Sequence, residues 1–265
     1  MGMNREEIPN PDERKRMKEQ PHTSSGLDLS IIVPCYNEEE SLPHLWTAID
    51  EVMRPLGRTY ELLLVNDGST DRTAAVMREL QGKDASIRVI QLRNNAGLSS
   101  ALKAGFESAR GDILITLDAD LQNDPADIPM LLEYLPEYDM VFGWRQKRHD
   151  RVVKVLSTRI ANAVRNWITK DDIPDIACTL KAFKRSCVST IKMYKGMHRF
   201  LPTLFKIEGY KTIQVPVRHH HRKYGTAKYG VLNRIFVALI DCLAVRWMIT
   251  RNIAYEKEEM YLDRD

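Results

Sequence analysis

The residues best suited to chemistry lie in the run Asp118-Ala119-Asp120-Leu121-Gln122, directly after the apolar stretch DILITL. On an extended or tightly turned segment, residues two apart point to the same side. Asp118, Asp120 and Gln122 can therefore offer oxygen donors to a common point. Such a set suits a hard divalent cation, Mg2+ or Mn2+, which takes one or two carboxylates plus substrate phosphates. A bare Asp-x-Asp is also a common solvated turn; its place at the end of an apolar run is what favours the metal reading. Asp67, within NDGSTD, carries a similar ambiguity. Asn-Asp-Gly is ordinary turn chemistry, and Ser69 or Thr70 can cap a following helix. A carboxylate there can also accept hydrogen bonds from a nucleobase edge or a ribose.

The elements that must position these residues follow from periodicity. Short, β-branched-rich apolar runs predict strands ending at Pro34, over Tyr60–Val65, over Ile87–Leu92 and over Asp112–Leu117. Between them, helical spacing predicts helices over Glu38–Met53, Thr70–Leu80 and Gly97–Ala109. This alternation implies an α/β fold with a mostly parallel sheet flanked by helices. Ligands in such sheets bind beyond the carboxyl ends of the strands, which here are 34–38, 66–70 and 118–122. A GxGxxG turn would be expected after the first strand of a redox dinucleotide fold, yet that position holds Pro-Cys-Tyr-Asn-Glu. A Walker phosphate loop is absent as well, so a charged ligand must be held by another device.

Composition narrows the class. With 265 residues, 43% hydrophobic and 28% charged, the chain suits one globular domain with an appendage and excludes disordered, collagenous and disulfide-dense scaffolds. A net charge of +3 does not argue for nucleic acid. No uninterrupted apolar run reaches the roughly 18 residues of a spanning helix. Cys35, Cys178, Cys187 and Cys242 are scattered without a CxxC pair, which predicts free thiols rather than zinc ligands. Residues 1–26 are charged, contain proline and lack the apolar core of a signal peptide, so they are expected to be a disordered tail.

Taken together, VPCYNE, NDGSTD and DADLQNDP, in this order and spacing, resemble the inverting GT-A glycosyltransferases of family 2. Within that family the chain is similar to the dolichol-phosphate mannose synthase branch, which makes polyprenyl-phosphate sugars. DIACTLKAFKR (Asp175 to Arg185), GMHRFLP (Gly196 to Pro202) and RKYGTAKYG (Arg222 to Gly230) extend the likeness. The resemblance implies a Rossmann-like GT-A sheet and a nucleotide pocket lined by Pro34, Tyr36 and Glu38, with Asp67 beside the base. Asp118, Asp120 and Gln122 would hold Mg2+ or Mn2+ against the donor diphosphate. Arg222 would close over that diphosphate with Lys228 nearby, so Asp120, Arg222 and Lys228 form the expected catalytic set. Arg145 would meet a phosphate of donor or acceptor, and Lys154 and Ser157 complete the expected substrate-binding residues. Asn66, Ala177 and Ala227 depart from the common Asp, Gly and Ser, and Ala227 puts any hydroxyl function there in doubt. Asp175 is open between a carboxylate at the reacting centre and a structural cap.

The second half is basic. Arg145, Lys147, Arg148, Arg151 and Lys154 lead into VVKVLSTRIANAVRNWI, whose spacing and Trp167 fit either a membrane-interface helix or one packed on the sheet. VLNRIFVALIDCLAVRWMI repeats the pattern but carries Arg234, Asp241 and Arg246, charges that are costly at a bilayer centre. The expected organisation is a tail over 1–26, a catalytic domain over 27–230 that includes an amphipathic helix at about 151–170, and a C-terminal amphipathic helix with an acidic tail over 231–265. His219, His220 and His221, adjacent on an extended segment, point to alternate sides and do not readily chelate one ion. His219 to Arg222 fit phosphate anchoring better.

The combined reading is a metal-dependent transfer of a sugar from a UDP- or GDP-sugar to a polyprenyl or dolichyl phosphate. It would act at the cytoplasmic membrane face, as a peripheral protein, with homo-oligomerisation left open. The rival readings are a soluble family 2 transferase acting on a saccharide or protein hydroxyl, and an inactive membrane-docked module.

Overall fold

The apolar runs become the central strands of one mixed sheet in the computed structural model, which describes residues 26–145, 163–221 and 232–253. The strands are β1 (Leu29–Cys35), β2 (Tyr60–Asn66), β3 (Ile87–Gln91), β4 (Ile113–Thr116), β5 (Met140–Trp144), β6 (Lys181–Lys184) and β7 (Thr212–Pro216). Their order is β3-β2-β1-β4-β6-β5-β7. β3, β2, β1 and β4 run parallel, β6 is antiparallel to both β4 and β5, and β7 is parallel to β5. The order places a topological switch between β1 and β4, because β2 and β3 build to one side of β1 and the chain then crosses back to the other. A crevice opens at such a point beyond the carboxyl ends of the strands.

Both faces of the sheet are covered, which explains why its central strands are almost wholly apolar. Ile31 and Val33 of β1 face a core built with α1 (Leu42–Leu56), α2 (Thr73–Lys83) and α4 (Ile128–Tyr134). Ile32 faces the opposite core, formed with α3 (Leu98–Ser108), α6 (Leu201–Ile207) and α7 (Leu232–Arg251). A short helix over residues 163–169, α5, lies on that second side with Ile168 packed against the same core. Among the described residues no helix is long and apolar enough to cross a membrane. The four cysteines are free and buried.

Two helices start later than periodicity predicts. α1 begins at Leu42 rather than Glu38, and α2 at Thr73 rather than Thr70. The intervening residues are tied to each other across the strand ends. The Asn37 and Glu38 N–H groups donate to Ser69 Oγ (3.0 Å) and Thr73 Oγ1 (2.8 Å), and the Thr70 N–H donates to Asn37 Oδ1 (2.8 Å). Asn37 reaches this arrangement with φ 53, in the left-handed region that asparagine tolerates. Long-range loop bonding has displaced the first helical turn in both cases.

At the other end of the sheet, Glu61 is buried inside β2. It accepts from Ser30 Oγ at 2.6 Å and the Arg110 N–H at 2.7 Å, and it pairs with Arg88. Ser30 Oγ in turn accepts the Gly111 N–H at 2.8 Å, where a side chain would collide with the Leu29 backbone carbon at 2.4 Å. This network pins the α3–β4 connection to β1 and β2. Glu61→Ala strands several buried partners, so it should lower the unfolding free energy by about 3–5 kcal/mol, read from urea denaturation.

Candidate active site

β4 ends at Thr116, and the Leu117 N–H makes one further bond to the Ile32 carbonyl before the strands part. Pro34 lies beyond that ladder on β1, where its missing N–H costs no pairing to β4. The gap between β1 and β4 thus begins at Pro34 on one side and Asp118 on the other, and both line a narrow, mostly apolar cavity.

The acidic loop is tightly turned. The Gln122 N–H donates to Asp120 Oδ1 at 3.1 Å, and Leu121 takes φ 58, a conformation costly for a branched residue. Asp118 is held from β6 and its preceding loop. The Thr116 hydroxyl donates to the Thr179 carbonyl (2.7 Å), Asn123 Nδ2 donates to Thr179 Oγ1 (2.7 Å), and the Thr179 hydroxyl bonds the Asp118 carboxylate. Burial, and then the charge of Asp120, push Asp118 up to about 6, against the Thr179 bond and the Lys181 and Arg145 charges. A buried carboxylate beside a second one forms a site short of positive charge, which an oxygen-seeking cation would supply. No cluster of three or more His, Cys, Asp or Glu side chains poised to chelate occurs among the described residues. The residues therefore fit a cation that completes its shell with amide, water or substrate oxygens.

The basic residues nearby are already engaged. Arg145 grips Asp175 through two parallel bonds, Nε to Oδ2 at 2.7 Å and Nη2 to Oδ1 at 2.8 Å. Burial opposes the Arg145 charge, but the Asp175 carboxylate outweighs it and raises the guanidinium above its ordinary value. Asp175 thus fixes Arg145 beside Asp118. Lys181, 4% exposed on β6, donates to the Cys178 carbonyl. Burial depresses its ammonium, while Cys178, Asp118 and Asp175 push the other way.

Asp67 is buried, and its carboxylate accepts the Ala96 N–H at 2.8 Å and the Gly97 N–H at 2.9 Å, tying the β2 loop to the start of α3. Gly68 makes that approach possible, since a Cβ there would lie 2.4 Å from Asn95 N. Tyr36 and Glu38 lie half-buried on the neighbouring loop, where Glu38 accepts from Ser41 Oγ at 2.8 Å. On the far side, the segment after β7 is strapped to the acidic loop. Arg218 bonds Asp127, His220 Nε2 meets Asp124 at 3.1 Å, and the His220 N–H donates to the Gln122 carbonyl at 2.8 Å. His220 therefore anchors this strap to the acidic loop. Lys154, Ser157, Arg222 and Lys228 lie outside the described residues.

Sequence reasoning missed Thr179, Lys181 and His198 as site residues. All three fall in segments noted above without an assigned function, and the one signal for Lys181 is a lone cation in the apolar run TLKAF. His198 lines the cavity, its Nδ1 2.7 Å from Ser99 Oγ. Burial, then the Arg199 and Lys181 charges, lower its ring to about 3.

The family model described as Glycosyl transferase family 2 matches residues 30–192. The chain belongs to that family and is a glycosyltransferase. It is 35% identical over 230 residues to a dodecaprenyl-phosphate galacturonate synthase of Rhizobium johnstonii, covering 84% of this chain and 68% of the relative. It is 38% identical over 220 residues to an undecaprenyl-phosphate 4-deoxy-4-formamido-L-arabinose transferase of Pectobacterium carotovorum, covering 82% and 67%. A solved glucosyl-3-phosphoglycerate synthase of Mycobacterium tuberculosis, in complex with Mg2+ and UDP, has the same fold at TM-score 0.61 and 19% identity, covering 83% of this chain and 81% of that one.

A base whose folded pKa is depressed takes up its proton more readily in the unfolded chain. The stability tied to a neutral His198 is therefore complete above pH 6.5 and lost as pH falls from there toward 3. Between pH 7.5 and 5 the wild type should lose about 2 kcal/mol more than His198→Gln, measured by urea titration at each pH.

Proposed function

We propose that this glycosyltransferase moves one sugar from a UDP- or GDP-sugar to a polyprenyl phosphate at the cytoplasmic membrane face, with Mg2+ or Mn2+ as cofactor. The observation that carries the metal site is the pair of buried carboxylates, Asp118 and Asp120, beyond the end of β4 at the switch point of the sheet. Gln122 is the third donor. The two relatives above are named for polyprenyl-phosphate acceptors, and the solved neighbour holds Mg2+ with UDP.

When bound, the cation supplies positive charge to the leaving diphosphate. The chain's own residues do the rest. The loops after β1 and β2, stitched together through Asn37, Ser69 and Thr70, form a rigid floor for the nucleoside, with Tyr36, Glu38 and Asp67 at its edge. Arg145, immobilised by Asp175, keeps a fixed positive charge beside Asp118. Arg222 and Lys228, which follow this strap in the sequence, are assigned to the diphosphate. An acceptor that is already a phosphate monoester, with a second pKa near 6, carries its nucleophilic oxygen deprotonated at neutral pH. No side chain is assigned as general base.

Attachment to the membrane is assigned to α5 and α7. One side of α7 is buried through Cys242 and Val245, while Ile240, Leu243 and Trp247 on the other are exposed at 51%, 56% and 64%. Trp167 of α5 is exposed at 74%. Aliphatic and indole groups facing outward beside Arg246 and Arg251 suit an anionic interface. The charge of Asp241 within α7 argues for lying on the bilayer rather than crossing it.

Asp120→Ala should abolish divalent-ion-dependent transfer from nucleotide sugars to a short polyprenyl phosphate, while its thermal unfolding stays within a few degrees of wild type. Unchanged turnover refutes the metal assignment. In vesicle flotation with anionic lipid the wild type should float, and Trp247→Ser should partition roughly tenfold more weakly. Recovery of the wild type in the unfloated fraction at low salt refutes interfacial attachment.

A further inference from the structure

A roomier cleft, with a volume of about 450 Å³, lies at the opposite pole of the sheet. It opens where β4 begins and β6 ends, so the length of β4 separates it from the acidic loop. Ile113 pairs with Lys184 in the ladder, and the Arg185 N–H donates to the Asp112 carbonyl at 2.8 Å. The backbone therefore fixes the base of the Lys184 and Arg185 side chains. Ile113, Leu132, Leu135 and Pro136 supply apolar walls, with Leu132 and Leu135 buried at the end of α4. Arg58, from the turn between α1 and β2, joins Lys184 and Arg185 at the cleft. The proposed reaction uses none of these residues.

The charges of the cleft discriminate between occupants. Three cations line it against one carboxylate, Asp112. Lys184 is matched from outside by Asp139 at 2.9 Å, but the two guanidinium groups are not matched so closely. Arg185 Nη2 lies 3.4 Å from Asp112 Oδ1, longer than the roughly 2.7–2.9 Å of a charge-assisted bond. Arg185 Nε is buried without a hydrogen-bond partner among the described residues. Arg58 is exposed and makes no ion pair among them. Forked guanidinium donors with capacity to spare suit an oxyanion. The apolar walls suit a ligand with a body attached to that anion, and the volume falls within the range of about 300–1,000 Å³ for small-molecule pockets. α4 covers the sheet face opposite α7, so the cleft is no part of the surface assigned to lipid.

We propose that this cleft is a second ligand site, which binds a small soluble organic phosphate. Its phosphate meets Arg58 and Arg185, and its apolar or ring-shaped body lies on Leu132, Leu135 and Pro136. A phosphate monoester, with a second pKa near 6, is mostly a dianion at neutral pH. Two guanidinium groups match that charge better than they match a single carboxylate. The site goes beyond the transfer reaction and stands whether or not that reading holds.

The probe is phenyl phosphate, one phosphate on one apolar ring, titrated into the methyl-labelled full chain and followed by NMR. The methyl signals of Ile113, Leu132 and Leu135 should shift, with a Kd of about 1 mM. The same shifts should appear in Asp120→Ala, whose acidic loop is impaired. Arg58→Gln and Arg185→Gln should each weaken binding roughly tenfold, with thermal unfolding within a few degrees of wild type. Inorganic phosphate, which lacks the body, and benzoate, which lacks the second charge, should each bind at least about fivefold more weakly than phenyl phosphate. No shift of these methyls up to about 20 mM probe overturns the proposal. So does equal affinity for inorganic phosphate or benzoate, or an unchanged Kd in either arginine variant that folds. Loss of the shifts in Asp120→Ala puts the probe in the acidic site and overturns it as well. Vesicles of phosphatidic acid that shift the same methyls overturn the choice of a soluble ligand. If Arg185→Gln does not fold, Arg58→Gln, whose side chain is exposed, carries the same comparison.

Discussion

The electrostatic balance across the β4–β6 pair governs the rest of the site. Asp118 and Asp120 end β4, and β6, antiparallel to its neighbours, brings Thr179 and Lys181 alongside while Arg145 arrives from the end of β5. Lys181, buried, and Arg145, half-buried, are committed to Cys178 and Asp175, so they only partly offset the burial of Asp118 and the charge beside it. The remaining demand for positive charge faces the crevice between β1 and β4, where a cation and a diphosphate can meet it. Removing a partner of such a buried pair leaves an uncompensated charge, which is far more costly than the pair is stabilising. This explains why so much of the surrounding hydrogen bonding serves to hold Thr179, Asp175 and Asn123 in place rather than to touch ligand.

The first half of the fold was legible because its signals are local. β1 to β4 are continuous apolar runs buried on both faces, and the three helices between them carry a single apolar stripe. The acidic loop was legible for the same reason, since residue type, spacing and a preceding strand all fall within a dozen residues. The starts of α1 and α2 were not, because Asn37, Ser69 and Thr73 bond across more than thirty residues of sequence, a pairing no window detects. β5, β6 and β7 were missed on similar grounds. They are four or five residues long, and their order in the sheet differs from their order in the chain.

The site was partly legible. The carboxylates and Arg145 could be named from motifs, whereas Asp175, open between a carboxylate at the reacting centre and a structural cap, gave no sign of its bidentate pairing with Arg145, thirty residues away in sequence. Asp67 is a second such case. Its sequence context left it open between turn chemistry and a carboxylate facing a base or ribose, and its side chain accepts the Ala96 and Gly97 N–H groups, tying two strand-end loops together. Lys181 was hidden because it lies within an otherwise apolar run, where the default expectation is packing, and His198 because its partner Ser99 is ninety-nine residues away in sequence.

The turn carrying His198 also joins the cavity to α7. Gly196 opens it with φ 89, and a side chain there would come within 2.4 Å of Asp241 Oδ2. Asp241 belongs to α7, and its nearest cation is Arg199, one residue past His198, at 3.8 Å. Burial raises the Asp241 carboxyl and Arg199 only partly offsets it; Oδ2 has no hydrogen-bond partner among the described residues. A carboxylate placed this way contributes little net stability, so its effect is to specify where α7 lies on the turn. A single left-handed glycine therefore sets two contacts at once. Its N–H fixes Ser99, and through it the His198 ring in the cavity, while its missing side chain admits the helix that carries the exposed apolar face. The helix that carries the exposed apolar face and the cavity beside Asp118 are thus tied to one turn, which couples their placement despite the long segments that connect them in sequence.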